Sequence, residues 1–438
     1  MFYNSTRNSD VKVNSAEAIT QGISAEGGLF VPESIPQLSL DEIKAIGDMK
    51  YADRAAYVFS KYLTDFTEAE IHYCTDNAYS TKNFETESIA EIAHLFDGTY
   101  MLELWHGPTC AFKDMALQLL PHLLTRSSAK VGEGKRTVIL VATSGDTGKA
   151  ALEGFKHEGL VASSANSINI GRLAPQTAYY FAAYGDMVAN GTIEFGREVD
   201  FVVPTGNFGN ILAGYMAKRM GLPVGKLICA SNANDVLYQF LSEGVYDRAS
   251  RQLIKTASPS MDILISSNLE RLLFFMANRG SEAADAALVA SLMAQLKETG
   301  RYALPDDMLE RIRAQFLCGR ADDNAAFAAI RDMWQNSHYL MDTHTAVAYS
   351  VYAQLKAKGL ITAPAVVLST ASPFKFAPAM LKALGEYANE SGFDAADKLS
   401  ALTGLAIPAG LGGIRELSVL HTDVIDPAEM GAYIHSVL

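Results

Sequence analysis

Apolar and polar positions follow two regimes along this chain. Over the first 95 residues, polar turns separate amphipathic stretches. Ser39–Ile46 and Tyr51–Tyr62 repeat apolar residues at helical spacing. GGLFVPESIP (27–36) closes on two prolines and reads as a turn or short strand. From about residue 100, short apolar runs alternate with helical ones. TVILVATSG (137–145) is a β-branched run ending in a Gly-containing turn, with a helix expected from Thr147 to His157. EVDFVVPTG (198–206) repeats the arrangement ahead of a helix from about Asn210 to Met220. KLICASN (226–232) and AVVLST (365–370) are further strand candidates, and 282–298, 306–317 and 343–358 read as helices. Near-continuous apolar strands suit a parallel sheet covered on both faces, and the alternation predicts an α/β fold. One junction breaks the pattern. After the helix ending near Glu158, LVASSANSINI (160–170) offers only three or four apolar residues where a strand should follow.

Composition narrows the function classes. In 438 residues, 49% are apolar and 19% charged, which excludes disorder, collagen and coiled coil. Lys and Arg total 36 against 49 Asp and Glu, a net charge of −13, so no nucleic-acid partner is expected. Cys74, Cys110, Cys229 and Cys318 are scattered without a CxxC, which fits a reducing cytosol. The start MFYNSTRNSD predicts no secretory leader, and no apolar run approaches the ~20 residues of a membrane span. The nine histidines show no HExxH spacing, so no metal site is expected, and no GxSxG elbow occurs. His106 and His344 lie near candidate motifs and fit a structural role at least as well as a functional one; Trp105 and Trp334 read as packing residues.

Five segments carry candidate chemistry. In WHGPTCAFKDMALQLL (105–120), Lys113 follows the Gly107–Pro108 turn and the apolar pair Ala111–Phe112. An arbitrary lysine there is a solvated helix start, whereas one held against apolar walls is a nucleophile toward carbonyls. PTGNFGN (204–210) joins a strand to a helix, and its glycines and helix N-terminus suit an anion. The alternative is an ordinary βα turn; the loop is neither GxGxxG nor a Walker loop. TSGDTG (143–148) suits a carboxylate or phosphate, or is a helix capped by Ser144 or Asp146. SSANSINIGR (163–172) gathers Asn, Ser and Arg172, in a ligand loop or a solvated one. STASPFKF (369–376) ends an apolar strand, where the Thr370 hydroxyl faces a crevice or a plain turn. Ligands of open α/β sheets lie beyond the carboxyl ends of strands, where three of these segments fall.

Together these segments resemble the threonine synthases, pyridoxal-phosphate enzymes of fold type II. Other matching stretches are YNSTRN, GGLFVPE, SMDILISSNLERLLF (260–274) and HTAVAY (344–349), in the family's order and reaching to about residue 380. The resemblance implies open, mainly parallel sheets in a large domain (96–133 and 175–438), a small mobile domain (134–174) and an N-terminal domain (1–95). It implies a cytoplasmic enzyme that makes L-threonine and phosphate from O-phospho-L-homoserine and water. Lys113 would form a Schiff base with pyridoxal phosphate beside Phe112. Gly206, Asn207, Phe208, Gly209 and Asn210 would hold the cofactor phosphate. Thr370 would bond the pyridine nitrogen, and Asp146 would sit near the cofactor hydroxyl. Thr143, Ser144, Gly145 and Thr147 would take the substrate carboxylate; Asn166, Ser167 and Arg172 would take its phosphate. Threonine deaminase-like lyases and a non-catalytic cofactor-binding relative are the competing readings. The resemblance leaves the oligomeric state, monomer or homodimer, open. Family members carry a further strand and helix before SANSIN, so a segment is expected to be missing between Gly159 and Ser163, with an encoded mass above 47.3 kDa.

Overall fold

The computed structural model describes residues 1–96, 98–132, 166–386, 391–418 and 423–437. The strand and helix expected over 137–157, the TSGDTG segment and the junction from Gly159 to Ser163 lie outside them.

Eleven strands are described. β1 (Tyr3–Ser5), β2 (Asn8–Val13) and β3 (Phe30–Pro32) form a small antiparallel sheet in the order β2-β1-β3. The 27–36 run thus supplies a strand, with Pro32 at its end opposite Tyr3. The helices around this sheet begin at capping boxes, Asn14 with Glu17, Ser39 with Glu42 and Thr67 with Glu70. In each, two of the four amides that a helix start leaves unbonded gain partners.

The main sheet has six strands: β4 (Glu91–Phe96), β5 (Thr99–Glu103), β6 (Val199–Pro204), β7 (Val224–Ser231), β10 (Phe316–Arg320) and β11 (Ala365–Ser369). β8 (Val245–Asp247) and β9 (Arg301–Ala303) form a separate pair. The order is β10-β7-β6-β11-β5-β4; all neighbours run parallel except β4 against β5. β4 falls within the 1–95 segment yet pairs with β5 in this sheet. Successive side chains of a strand point to opposite faces. Phe201, Val203, Val366 and Leu368 accordingly enter one core, and Val202, Ala365 and Val367 enter the other. With both faces covered, few polar positions are needed, which is why these strands are mostly apolar; the buried Asp200 of β6 is an exception and accepts from the Lys226 amide at 2.6 Å. Burying each Val, Leu or Phe contributes about 1.5–3 kcal/mol.

The helix expected over 306–317 ends at Gln315, and β10 follows at once. Phe316 is drawn out of the helical pattern because its ring packs against Phe208 and Tyr215, 5.8 and 5.7 Å between centroids. The other expected elements among the described residues fall within a residue or two of their places, including the helices Leu40–Gly47, Tyr51–Tyr62, Glu282–Thr299 and Thr343–Ala357. The fold is α/β with a mainly parallel sheet.

Candidate functional site

A crevice lies at the carboxyl ends of β6 and β11. It is lined by Phe112 and Lys113, by Asn166, Ser167 and Arg172, by all of 206–210, and by Thr370. The sequence candidates among the described residues therefore converge on one pocket. Thr143, Ser144, Gly145, Asp146 and Thr147 lie outside the described residues.

Lys113 reaches the pocket through a knotted turn. Gly107 packs against Asp114 so closely that a Cβ there would lie 2.6 Å from the Asp114 Cβ. Asp114 is fully buried and accepts hydrogen bonds from the Thr109 amide and hydroxyl, both at 2.8 Å. Burial raises its pKa to about 6, against the pull of those bonds. The turn is zipped to the chain after β11. The Phe112 amide donates to the Thr370 carbonyl at 2.8 Å, Ala111 bridges Ala371, and the Ser372 amide donates to the Cys110 carbonyl. This places Lys113 next to Thr370. The Lys113 Nζ donates to Ser260 Oγ at 3.1 Å.

The 206–210 loop runs from β6 into the helix Gly209–Arg219. Its carbonyls are turned toward the scaffold: Gly206 O accepts from Ser266 Oγ at 2.8 Å, and Asn207 O accepts from the Asn268 amide at 3.1 Å. Phe208 has φ +62°, a conformation costing about 1–3 kcal/mol, and its buried ring holds it there. A Cβ on Gly206 would lie 2.8 Å from the Ser260 carbonyl, so glycine is required for the two turns to meet. The first amides of a helix lack intrahelical partners and favour anions. Two buried amide nitrogens nearby, Asn210 Nδ2 and Asn268 Nδ2, have no hydrogen-bond partner among the described residues. The Asn210 Oδ1 is taken by the hydroxyls of Tyr179 and Tyr180, at 2.6 and 2.9 Å, which leaves its donors for a ligand. Orphaned donors, a helix start and a glycine cradle fit a phosphate group.

On the opposite wall, Asn169 caps the short helix Ile170–Leu173 and ties it to the N-terminal layer by donating to the Ile19 carbonyl at 3.0 Å. Arg172 on that helix is buried, and desolvation lowers its pKa to about 10, so it stays charged at neutral pH. Asn166 is exposed; its Oδ1 accepts from the Ser167 amide at 2.6 Å. Arg271 braces this segment by donating to the Ser167 and Ile168 carbonyls, and to Phe30 O from the N-terminal sheet.

Sequence reasoning assigned nothing to Gln176, Ser260, Met261 or Asn268, and left His344 open between a structural residue and one near a motif. The first three and His344 line the pocket, and Asn268 stands beside Gly209. The only available signal was that Ser260, Met261 and Asn268 lie in one of the family-like stretches, and His344 in another.

Comparison with known proteins matches residues 2–79 to a model described as threonine synthase N terminus, and 345–406 to one described as threonine synthase, C-terminal. Threonine synthase of Pseudomonas aeruginosa is 34% identical, with 87% of this chain aligned to 90% of that protein. The chain belongs to the threonine synthase family. Another member, Homo sapiens threonine synthase-like 1, is 36% identical over 84% of this chain, which spans only 58% of that longer relative. Among solved members, a PLP-bound threonine synthase from Brucella melitensis superposes with a TM-score of 0.81, 33% identity, and coverage of 91% and 94%. The yeast threonine synthase structure gives 0.81 and 30%, with 95% and 98% covered. Among the described residues, no helix is long and apolar enough to cross a membrane.

Proposed function

We propose that this chain is a threonine synthase which binds pyridoxal phosphate at Lys113 and converts O-phospho-L-homoserine and water to L-threonine and phosphate. The observation that carries the reading is the convergence of Lys113, the 206–210 loop, Thr370 and Arg172 on one pocket. A substrate bearing a carboxylate and a phosphate, next to a phosphate-bearing cofactor, needs several anion sites. The pocket offers two among the described residues.

When bound, pyridoxal phosphate supplies an electron sink for the negative charge that develops at the substrate carbons. Lys113 would hold it covalently, with Phe112 as the apolar wall beside it. The amides of Gly206, Asn207, Phe208, Gly209 and Asn210 would hold its phosphate, and the Asn210 Nδ2 would add a donor. The Thr370 hydroxyl would bond the ring nitrogen; being neutral, it would not demand a protonated ring as a carboxylate would. Once substrate occupies the site, the freed Lys113 amine takes a proton at Cα and moves one at Cβ, which suits a general base poised against apolar walls. Arg172, with Asn166 and Ser167, holds the departing phosphate. Family resemblance implies that Thr143, Ser144, Gly145 and Thr147 would take the substrate carboxylate and that Asp146 would serve the cofactor hydroxyl.

The test is direct. Purified chain supplied with pyridoxal phosphate is assayed for phosphate and threonine from O-phospho-L-homoserine, and for 2-oxobutanoate from threonine. Phosphate and threonine in equal amounts support the reading. Production of 2-oxobutanoate alone points to a deaminase, and cofactor binding without turnover points to a binding relative.

A further inference from the structure

The pocket contains a chain of hydrogen bonds whose members no candidate role has used. Asp342 caps the helix Thr343–Ala357 and is completely buried. Its carboxylate accepts from the His344 amide at 2.9 Å, the Thr345 amide at 3.2 Å, the His344 ring at Nδ1, 2.6 Å away, and the Thr345 hydroxyl. The His344 ring is 3% exposed, and its other nitrogen, Nε2, accepts from the Ser260 backbone amide at 3.1 Å. A nitrogen facing an N–H must present its lone pair. The ring proton therefore sits on Nδ1, toward Asp342, and the tautomer is fixed from both sides. Phe376 closes over the imidazole, with ring centroids 4.9 Å apart. Ser260 in turn presents its hydroxyl to the Lys113 Nζ. The second arm from Asp342 runs through the Thr345 hydroxyl, which accepts from the Thr370 amide at 3.3 Å.

A short helix cap alone needs neither the ring bond nor the link onward to another segment. Here one buried carboxylate reaches both residues that bracket the pocket, Lys113 through His344 and Ser260, and Thr370 through Thr345. Gly206 packs against the Ser260 carbonyl, so the turn carrying Ser260 is also pressed from the phosphate side.

From this geometry we infer that His344 and Asp342 are positioning residues that act through Ser260 to aim the Lys113 amine. The inference rests on the proposed function, because the aim matters only if Lys113 captures a carbonyl. In that capture the Lys113 nitrogen bonds to the aldehyde carbon, and the carbonyl oxygen leaves as water with the two amine protons.

The experiment uses the full chain stripped of cofactor, together with Ser260→Ala, His344→Leu and His344→Gln. Gln places a carbonyl oxygen where His344 Nε2 accepts. Each protein is mixed with pyridoxal 5′-phosphate, and adduct formation is followed by absorbance, with borohydride reduction and peptide mapping to confirm Lys113. Affinity for pyridoxine 5′-phosphate, which has no aldehyde, reports the phosphate cradle, and thermal midpoints report packing. Misaiming a reacting group costs up to about 100-fold. Ser260→Ala and His344→Leu are expected to slow capture by about ten- to a hundredfold with pyridoxine 5′-phosphate affinity unchanged, and His344→Gln to restore most of the rate. Capture at the parental rate in both slow candidates overturns the inference. So does a loss of pyridoxine 5′-phosphate affinity equal to the loss of rate, which would mean general packing. If the unaltered chain takes up no pyridoxal phosphate, the functional reading fails and the inference falls with it. Normal uptake in every variant sinks the inference alone.

Discussion

The two walls of the pocket proposed to hold anions are built in opposite ways. The 206–210 wall is main chain. Its loop is held by a strand end, by scaffold groups that take the Gly206 and Asn207 carbonyls, and by a helix buried along most of its length. The 166–172 wall is side chain, with Arg172 on a four-residue helix and Asn166 exposed at its edge. Main-chain donors survive every substitution except proline, but an added Cβ can displace them. Side-chain donors can be removed one at a time. The first design suits a group that stays bound through every turnover, the second one that arrives and leaves.

The sharpest way to break the comparison is to remove what stands between the walls. Lys113→Ala should abolish turnover, by more than about 10³-fold, and eliminate the borohydride-reducible adduct. Both walls should still bind phosphate-bearing analogues. Trapping at another lysine rejects the assignment. Next comes the main-chain wall. Gly206→Ala puts a methyl group against the Ser260 carbonyl, and overpacking of this kind costs about 1–3 kcal/mol. Affinity for pyridoxine 5′-phosphate should fall by up to about 100-fold in equilibrium titration, and an unchanged affinity would show that the loop is not the cradle. Arg172→Ala tests the side-chain wall. Losing a charge-assisted contact should lower kcat/KM for O-phospho-L-homoserine by about ten- to a hundredfold, with cofactor absorbance and thermal midpoint retained. A variant that sheds cofactor yet keeps its affinity for phosphonate analogues would move Arg172 out of the substrate site.

The smallest effect on the chemistry is expected beneath the Lys113 turn. Asp114 has a folded-state pKa of about 6, raised by burial above the ordinary 3.8. The folded chain thus holds its proton more tightly than the unfolded one. The resulting stabilisation is fully present below about pH 4 and lost as the pH rises through about 6. Asp114→Asn cannot ionise, so its thermal midpoint should gain on the parent between pH 4 and 7, by up to about 3 kcal/mol of stability. Parallel pH profiles for the two proteins would contradict this.

Much of this arrangement was legible in the residues, and the reason is local. β6, β7 and β11 announce themselves because strands buried on both faces carry mostly apolar runs. Lys113, the 206–210 loop and Thr370 stand out because each sits at a turn whose residue types are unusual. β10 was hidden: Leu317 and Cys318 continue the apolar spacing of the preceding helix, and it is tertiary pairing with β7, with Phe316 packed on Phe208 and Tyr215, that makes the segment extended. Ser260 and His344 were hidden for the same reason. Neither carries a local sign, and their place at Lys113 depends on a fold that joins segments distant in the chain.

The position of β11 has a consequence for synthesis. It lies between β6 and β5, so the sheet cannot close until a strand near residue 365 has emerged from the ribosome. Before then β5 and β6 each expose an open edge, and such edges pair with other chains. Thr370, and the bonds that pin Phe112 and Ala111 beside it, arrive with the same strand. A nascent chain with a complete 206–210 loop therefore still lacks an aimed Lys113. The order of translation leaves the turn that carries Lys113 unpinned until β11 and the residues after it are made.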